Sequence, residues 1–470
     1  MSDKHSARTD KTSAAQALAR WVLSIDSNSL SAATITQAKL LLLDSIGCAF
    51  AGRDEDVCRS IRTVCENTAG PGSCTMIGSE RTIDIAHAVL ANGAFVRVLD
   101  LNDYVIGAGK HGPEIGGHPS DNIPVGLAVG EARQRSGRDI LAAIAVGYEV
   151  YGRFKGMIDR KSPWDGVSIS GFVAPAIAGR LMGLDENRLA HALALSGARL
   201  ATPALVRRGG ISAAKSIANA LVAQSGIETT LLAEQGVTGP LAVIEHERGL
   251  HSLFPSNDPI GVLTAPFPEL SYIMRSNVKA HPCLATGQSA VAAALKLHPM
   301  IKGAVENLTR IDVIMADYPF VRDQQEDPGR VRPASRESAD HSFQFLVAST
   351  LTDGAFGPAQ FENERWFQPA TVALMERIFM STDASLNTRA PGTYPCVVRT
   401  TDKNGQQHTA EVLFPPGFSN GGIDQVEVIA KFHNITAPIL DQSRRDRIVA
   451  AVLDFDRAAT TKPLAATIGA

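Results

Sequence analysis

The stretch TITQAKLLLLDSIGCAFAG, residues 34–52, carries the pattern that decides the fold. Its apolar residues recur at intervals of three and four and it ends in glycine, which is typical of a helix with one apolar face. The same alanine-rich periodicity continues to about Leu253, which predicts a mostly helical first region. The other stretches that show it are residues 14–25, 83–100, 140–154, 188–201 and 217–236.

The pattern changes after Pro266, where strands are expected beside helices. Residues 308–321, LTRIDVIMADYPFV, alternate apolar and polar positions as a strand does. Residues 393–414 predict a hairpin in which Asn404 and Gly405 supply the positive φ angles of a tight turn. The sequence therefore predicts a mostly α fold, with a large all-helical domain over residues 1–267 and a smaller α+β domain over 268–430. A C-terminal helical segment within 431–470 is expected to complete the first domain.

Composition narrows the class of protein. The 470 residues contain 45 Lys plus Arg against 48 Asp plus Glu, a net charge of -3, so no global field attracts nucleic acid or an anionic membrane. The polar first dozen residues and the lack of about 20 uninterrupted apolar residues predict a cytoplasmic protein with no membrane partner. Six cysteines without a CxxC pair predict buried free thiols.

Polar groups gather around one irregular stretch, GKHGPEIGGHPSDN, residues 109–122. Its glycines and prolines predict neither a regular helix nor a regular strand. Upstream, Asp100, Asn102 and Asp103 directly follow an apolar helical run. We interpret the two ends of this loop as one rim of a site, because they would bring a base, an acid and anion-binding amides together.

His118 is a candidate for proton transfer on this rim. Pro119 disfavours helix at His118, and Ser120 or Asp121 is a natural N-cap for the helix that follows. His118 would then lie beside the free N–H groups that favour a bound carboxylate. The alternatives are that HPSD is only a capping turn and that DLND is only a solvent-facing helix end.

Further cations and histidines are candidates at later helix starts. Lys215 lies among small apolar residues, and Lys279 and His281 precede another helix, so each lysine either clamps a carboxylate or extends to solvent. Surface roles are favoured for Arg207, Arg208 and Arg275, whereas His341 stays a further candidate. A metal site from His111, His118, Asp100 and Asp103 is a weaker alternative.

Several motifs in sequence order together resemble the MmgE/PrpD family from about residue 14 to 455. They are LLLDSIGCAFAG, LDLND followed by GHPSDN, GYEV, the AAKS segment leading to QGVTGP, VKAHPCLATGQSAVAA and SADHSFQFLVASTLTDG. The family includes 2-methylcitrate dehydratase, cis-aconitate decarboxylase and iminodisuccinate epimerase. The resemblance implies a large helical domain with a smaller α+β lid domain, a homodimer, a small carboxylate substrate, and neither a metal nor another cofactor.

The resemblance also implies a site between the domains. Asp100, His118, Lys215 and Lys279 match its motif positions, Tyr104 stands where relatives carry threonine or tyrosine, and His281 is added as a catalytic candidate. Substrate-binding candidates are Asn102, Asp103, Tyr104, Ser120, Asp121 and Ser216.

Two departures separate the chain from relatives. The loop before GHPSDN is about six residues longer than in 2-methylcitrate dehydratases, and the decarboxylase histidine positions hold Asp165 and either Leu284 or Thr286. The pair Lys215 and Ser216 resembles the dehydratase branch.

The expected function is therefore elimination of water from a small hydroxy di- or tricarboxylate. Either Asp100 or His118 would remove a proton beside a carboxylate, and the other, or His281, would protonate the departing hydroxyl. Three alternatives stay open: epimerisation of a dicarboxylate such as iminodisuccinate, decarboxylation of cis-aconitate, and carboxylate binding without catalysis.

Overall fold

The computed structural model describes residues 12–109, 112–158, 162–208, 210–266, 270–390, 392–418 and 423–469, with backbone only at 107–109 and 112–115. Helices dominate, so the prediction of a mostly α fold is confirmed. The helices before residue 278 are α1 (Ala14–Ser24), α2 (Ala32–Gly52), α3 (Asp56–Thr68), α4 (Ile85–Arg97), α5 (Ile123–Ala132), α6 (Gly137–Lys155), α7 (Ser170–Met182), α8 (Glu186–Gly197), α9 (Ala214–Glu234), α10 (Pro259–Thr264) and α11 (Ser271–Met274).

The starts of these helices follow from their caps. Ser13 and Ser31 accept hydrogen bonds from backbone N–H groups in the first turns of α1 and α2, and Asp84 does the same for α4. Each cap satisfies an N–H that the helix itself leaves unpaired. Local sequence therefore determines where the alanine-rich stretches become helical.

Helix α2 is long and apolar enough to cross a membrane by length and composition, with a mean hydropathy of 1.2 over its 18-residue window. In the structure 83% of that window is buried inside the protein. Helices α4 and α6 pack against it, as does α19 (Gln425–Thr436) from the C-terminal part of the chain. It is thus the central helix of the first hydrophobic core.

We expected the first region to contain only helices, but it also contains short strands. Strands β1 (Cys74–Thr75) and β2 (Thr82–Ile83) pair, and β3 (Tyr104–Gly109) pairs with both β4 (Gly112–Gly117) and β5 (Ser276–Asn277). The expectation that residues 109–122 form no regular structure was therefore wrong. The glycines of this stretch hide the alternation of side chains by which a strand is read from sequence.

The second region surrounds a four-stranded sheet with the order β7-β6-β8-β9. Its strands are β6 (Leu308–Ala316), β7 (Ile378–Asp383), β8 (Cys396–Asp402) and β9 (Gln407–Val412). Strands β6 and β7 run parallel, whereas β8 is antiparallel to both β6 and β9. The helices of this region are α12 (Gln288–Leu297), α13 (Pro319–Glu326), α14 (Pro328–Val331), α15 (Arg336–Ala339), α16 (Phe343–Asp353), α17 (Pro369–Met375) and α18 (Ser385–Arg389).

The β8–β9 hairpin confirms the predicted strands but corrects the turn between them. Only Gly405, at φ +79°, has a positive φ there, and its N–H donates to the carbonyl oxygen of Asp402. Asp402 also caps the loop, because its carboxylate accepts from the N–H groups of Asn404 and Gln406. The loop is thus longer than a two-residue turn.

Two hydrophobic cores result. The first contains residues from 14 to 278 and also the C-terminal helices α19, α20 (Gln442–Leu453) and α21 (Lys462–Ile468). The second contains residues from 283 to 418 together with Tyr104. All six cysteines are free and buried, which confirms the thiol prediction.

Candidate active site

A cavity of about 710 Å³ opens where the two regions meet. Tyr151 and Trp164 line it from the first region, and Phe320 and Gln324 line it from the second. Of the predicted site residues, the cavity wall includes Asp100, Tyr104, His118, Asp121 and Lys279. A volume of this size accommodates a small organic ligand.

Asp100 is the centre of the charged cluster at the cavity wall. Its φ of +50° is left-handed, so the chain turns sharply after α4 and returns this carboxylate to the end of the helix. Asp100 Oδ1 lies 2.6 Å from Arg97 Nη1 and 2.5 Å from Lys279 Nζ, and Oδ2 lies 3.3 Å from Lys215 Nζ. Although burial opposes ionisation, Arg97, Lys279 and Lys215 hold the pKa of Asp100 well below its usual range.

Lys215 stands behind this wall rather than in it. Its ammonium lies 3.0 Å from Asp340 Oδ1 and 3.2 Å from His341 Nδ1, and its side chain is 2% exposed. His341 does line the cavity, and its Nε2 lies 3.6 Å from Asp100 Oδ2. The expected direct clamp by Lys215 is therefore replaced by an internal ion-pair network, while His341 joins the site.

His118 is held in one orientation by the turn at Asp103. Its Nδ1 lies 2.6 Å from the backbone oxygen of Asp103, and its Nε2 lies 3.8 Å from Asp100 Oδ1. A carbonyl oxygen only accepts, so Nδ1 carries the proton and Nε2 is the basic nitrogen. Burial, reinforced by Arg97 and Lys279, holds the pKa of His118 well below its usual value, so the ring is neutral at pH 7.

Buried carboxyl groups lie behind His118. Asp103 accepts hydrogen bonds from the hydroxyls of Ser120, at 2.5 Å, and Tyr148, at 2.8 Å. Asp121 accepts one from the Asn102 amide at 2.8 Å. Burial raises the pKa of Asp103 to about 7 and that of Asp121 to about 6, despite these donors.

These contacts correct the expected capping. Neither Ser120 nor Asp121 caps the following helix, because a short 3-10 helix at Pro119–Asn122 precedes α5 and His118 stands at its N-cap position. The N–H of Ser120 points to Asp103 Oδ1 at 3.4 Å instead of remaining free for a ligand. Asn102, Asp103 and Ser120 thus support the wall without lining it.

Two further predicted residues lie outside the cavity lining. His281 Nδ1 lies 3.1 Å from the backbone oxygen of Phe356, and its ring packs edge-on against that phenyl ring. Ser216 is buried in the first turn of α9, also away from the described lining. The cavity lining formed by the described residues therefore contains neither His281 nor Ser216, and their predicted roles stay predictions.

Arg97 is a site residue that the sequence analysis missed. Its guanidinium lines the cavity at 2% exposure, and within the described residues its Nε and Nη2 have no hydrogen-bond partner. Asp121 Oδ2 is 3.7 Å from Nε. The available signal was a basic residue in the last turn of α4, three positions before Asp100.

The wall also contains the residues expected at the positions of the decarboxylase histidines. Asp165, Leu284 and Thr286 all line the cavity. Arg207, expected at the surface, also lines it and lies 2.8 Å from Asp165 Oδ2. Tyr104 accepts a hydrogen bond from the N–H of Gly116 at 2.7 Å, and its ring packs edge-on against His118.

A metal could be held only where Asp100, Asp340 and His341 place one ligand atom each within 4.8 Å, among the groups in the described part of the chain. The ammonium of Lys215 already contacts all three residues, so a divalent ion would meet a positive charge there. The alternative site that included His111 cannot be assessed, because His111 lies outside the described residues.

Comparison with known proteins places this arrangement in a family. Residues 16–262 match the MmgE/PrpD N-terminal domain and residues 281–456 match the MmgE/PrpD C-terminal domain. The cis-aconitate decarboxylase-like protein oryM of Aspergillus oryzae is 25% identical over 96% of both chains. The cis-aconitate decarboxylase of Mus musculus is 25% identical over 84% of this chain and 81% of its own, and the 2-methylcitrate dehydratase of Cupriavidus necator is 25% identical over 73% and 72%. With both domains matched in order, the chain belongs to the MmgE/PrpD family.

Proposed function

We propose that this protein is a metal-independent lyase that removes water from a small hydroxy di- or tricarboxylate, as 2-methylcitrate dehydratases do. The observation that carries the proposal is the neutral His118, whose basic Nε2 stands at the cavity wall beside Arg97 and Lys279. A base beside fixed cations is what removal of a weakly acidic proton next to a carboxylate requires.

Lys279 and Arg97 line the cavity and have hydrogen-bonding capacity left. Lys279 donates to the backbone oxygen of Asp100 at 2.9 Å and to its Oδ1 at 2.5 Å, which leaves one of its three ammonium protons unused. Arg97 offers Nη2. Arg97 would hold the carboxylate and stabilise the negative charge that develops on it as the proton leaves, while the remaining proton of Lys279 stays free for the leaving group.

The electrostatics also favour one assignment of roles. Both carboxylate oxygens of Asp100 are engaged in ion pairs with Arg97, Lys279 and Lys215, so Asp100 positions these cations. His118 Nε2 lies 3.8 Å from Asp100 Oδ1 and is the proton acceptor in this proposal. His118 Nε2 takes the proton from carbon, the C–O bond breaks, and the departing hydroxyl takes a proton from the Lys279 ammonium to leave as water. Burial lowers the pKa of Lys279, which makes it a better acid than an exposed lysine.

Decarboxylation is the second candidate, because several relatives are named cis-aconitate decarboxylases and one matches over nearly the full length. Dehydration is preferred because the family resemblance implies that Asp165 and either Leu284 or Thr286 replace histidines of the decarboxylases. The Asp165 carboxylate also forms an ion pair with Arg207.

Proton NMR in deuterated water tests the proposal, with chelator-treated protein and a panel of 2-methylcitrate, citrate, cis- and trans-aconitate, tartrate and iminodisuccinate. Alkene formation from a hydroxy acid is expected, seen as a new vinyl proton signal from citrate and as a new methyl singlet from 2-methylcitrate when its methyl-bearing carbon loses the proton. Loss of carbon dioxide from aconitate would replace dehydration by decarboxylation, and deuterium exchange alone would indicate epimerisation. Saturable binding without any of these reactions would indicate a binding protein and overturn the proposal.

A further inference from the structure

Two arginines outside the Asp100 cluster line the cavity from opposite regions. Arg207 ends the short 3-10 helix Ala204–Arg207 in the first region. Arg330 lies in α14 of the second region. The proposed proton transfer uses neither residue.

Arg330 has unused hydrogen-bonding capacity. Its side chain is 12% exposed, and its Nε and Nη1 are buried without a hydrogen-bond partner among the described residues. Asp327 Oδ2 stands 3.4 Å from Nε, while Asp327 Oδ1 accepts from the N–H of Gly329 and so caps α14. A buried guanidinium left in this state costs free energy, which a bound carboxylate would recover.

Arg207 adds a second positive charge to the same space. Its Nε is 2.8 Å from Asp165 Oδ2, so one edge of its guanidinium is paired, and the side chain is 25% exposed. Burial is the largest cause that lowers the pKa of Arg330, and the charge of Arg207 acts in the same direction. Two like charges that share a cavity are stabilised by an anion between them.

We propose that Arg330, assisted by Arg207, forms a subsite for a carboxylate remote from the reacting carbon. The cavity of about 710 Å³ has room for such a group beyond the carboxylate held by Arg97. The inference rests on the proposed function for which carbon reacts, and it narrows the substrate class to acids with an additional distal carboxylate, such as tricarboxylates.

Calorimetric binding of two non-reacting acids tests the subsite without requiring turnover. Tricarballylate carries three carboxylates, and methylsuccinate is the same skeleton with one terminal carboxylate removed. Arg330→Met should weaken tricarballylate binding by about 10- to 100-fold, the range for loss of a charge-assisted bond, and leave methylsuccinate within about twofold. Arg330→Lys should fall between Arg330→Met and the native protein.

Arg332→Met is the matched control, because Arg332 lies two residues after Arg330 and its side chain is 83% exposed. Its ion pair with Glu376 is long, at 3.6 Å. It should change neither affinity. Equal weakening of both acids by Arg330→Met, no weakening, or no preference of the native protein for tricarballylate would each overturn the subsite. If the native protein dehydrates a hydroxy acid but Arg330→Met does not change the preference for tricarballylate over methylsuccinate, the proposed function stands and the subsite is refuted. If Arg330→Met removes that preference but the native protein turns over no substrate, the subsite stands and the proposed function is refuted.

Discussion

The imidazole of His118 is fixed by the backbone of Asp103, whose carbonyl oxygen lies 2.6 Å from Nδ1. The Asp103 carboxylate in turn accepts hydrogen bonds from the hydroxyls of Ser120 and Tyr148. The residue whose backbone orients His118 is therefore itself held in place by its side chain. The basic Nε2 is thereby prepared before any substrate enters. This arrangement makes the role of His118 testable separately from its contribution to folding.

His118→Asn should lower kcat by about 10²- to 10⁴-fold, the usual contribution of a positioned base, while tricarballylate binding changes little. His281→Asn is the matched control, since His281 also bonds a backbone oxygen through Nδ1 but lies outside the described cavity lining. It should retain kcat within about threefold. Equal losses in both variants would show that the effect is structural.

The pH dependence of kcat/KM should reflect the low pKa of His118. Burial and the nearby cations favour its neutral form, so the base is ready at pH 7 and activity should decline only below the ordinary histidine value of about 6.5. A profile of kcat/KM from pH 5 to 8 measures this. An acid limb with an apparent pKa at or above 6.5 that persists in Asp103→Asn, where the Asp103 carboxyl with its pKa of about 7 is removed, would contradict the assignment.

The helices were predictable because their causes are local. Alanine-rich periodicity and caps such as Ser13 and Ser31 act within a few residues, so the stretches found in sequence became α1 and α2. The β3–β4 hairpin was not predictable in this way, since five of its twelve strand residues are glycine and interrupt the alternation of apolar and polar side chains.

The candidate site was only partly predictable. Asp100, His118 and Lys279 have local signals, but the inward role of Arg97 depends on the left-handed turn at Asp100. Lys215 was expected to contact substrate, yet its partner Asp340 lies 125 residues away in sequence and reaches it only through packing of the two regions. Contacts of this kind are set by tertiary structure, which periodicity does not encode.

Asp100→Asn should destabilise the fold strongly. The change leaves the buried cations Arg97, Lys279 and Lys215 without their shared anion, which costs about 3 to 5 kcal/mol for a broken buried pair. Urea unfolding at pH 7 measures the loss. Asp54→Asn is the control, because Asp54 is 54% exposed in its pairs with Arg53 and Arg62 and should cost about 1 kcal/mol or less.

The difference in unfolding free energy between the native protein and Asp100→Asn should also depend on pH. The folded-state pKa of Asp100 is depressed, so its stabilising effect is present above the ordinary aspartate value of about 3.9 and is lost as pH falls through the folded value. The difference between native protein and Asp100→Asn should therefore narrow only in strong acid. Equal unfolding free energies at pH 7 would refute the central role of this carboxylate.

The contribution of Asp103 to the unfolding free energy should depend on pH in the opposite direction. Burial raises its folded pKa to about 7, so between the unfolded value of about 3.9 and pH 7 the folded state binds the extra proton and loses stability as pH rises. Asp103→Asn cannot ionise and lacks this loss. The unfolding free energy of the variant minus that of the native protein should thus increase by roughly 3 kcal/mol between pH 5 and about 7, at 1.36 kcal/mol per pKa unit, and level off above pH 7.

Urea unfolding of both proteins at several pH values measures this difference. Using the difference cancels groups that titrate alike in both proteins, and the constant cost of placing an amide opposite the hydroxyls of Ser120 and Tyr148 shifts the curve without changing its slope. A flat or falling difference would mean that Asp103 is ionised in the folded protein at pH 5. The carbonyl that orients His118 would then belong to a charged residue, and the pH profile of kcat/KM would have to be assigned anew.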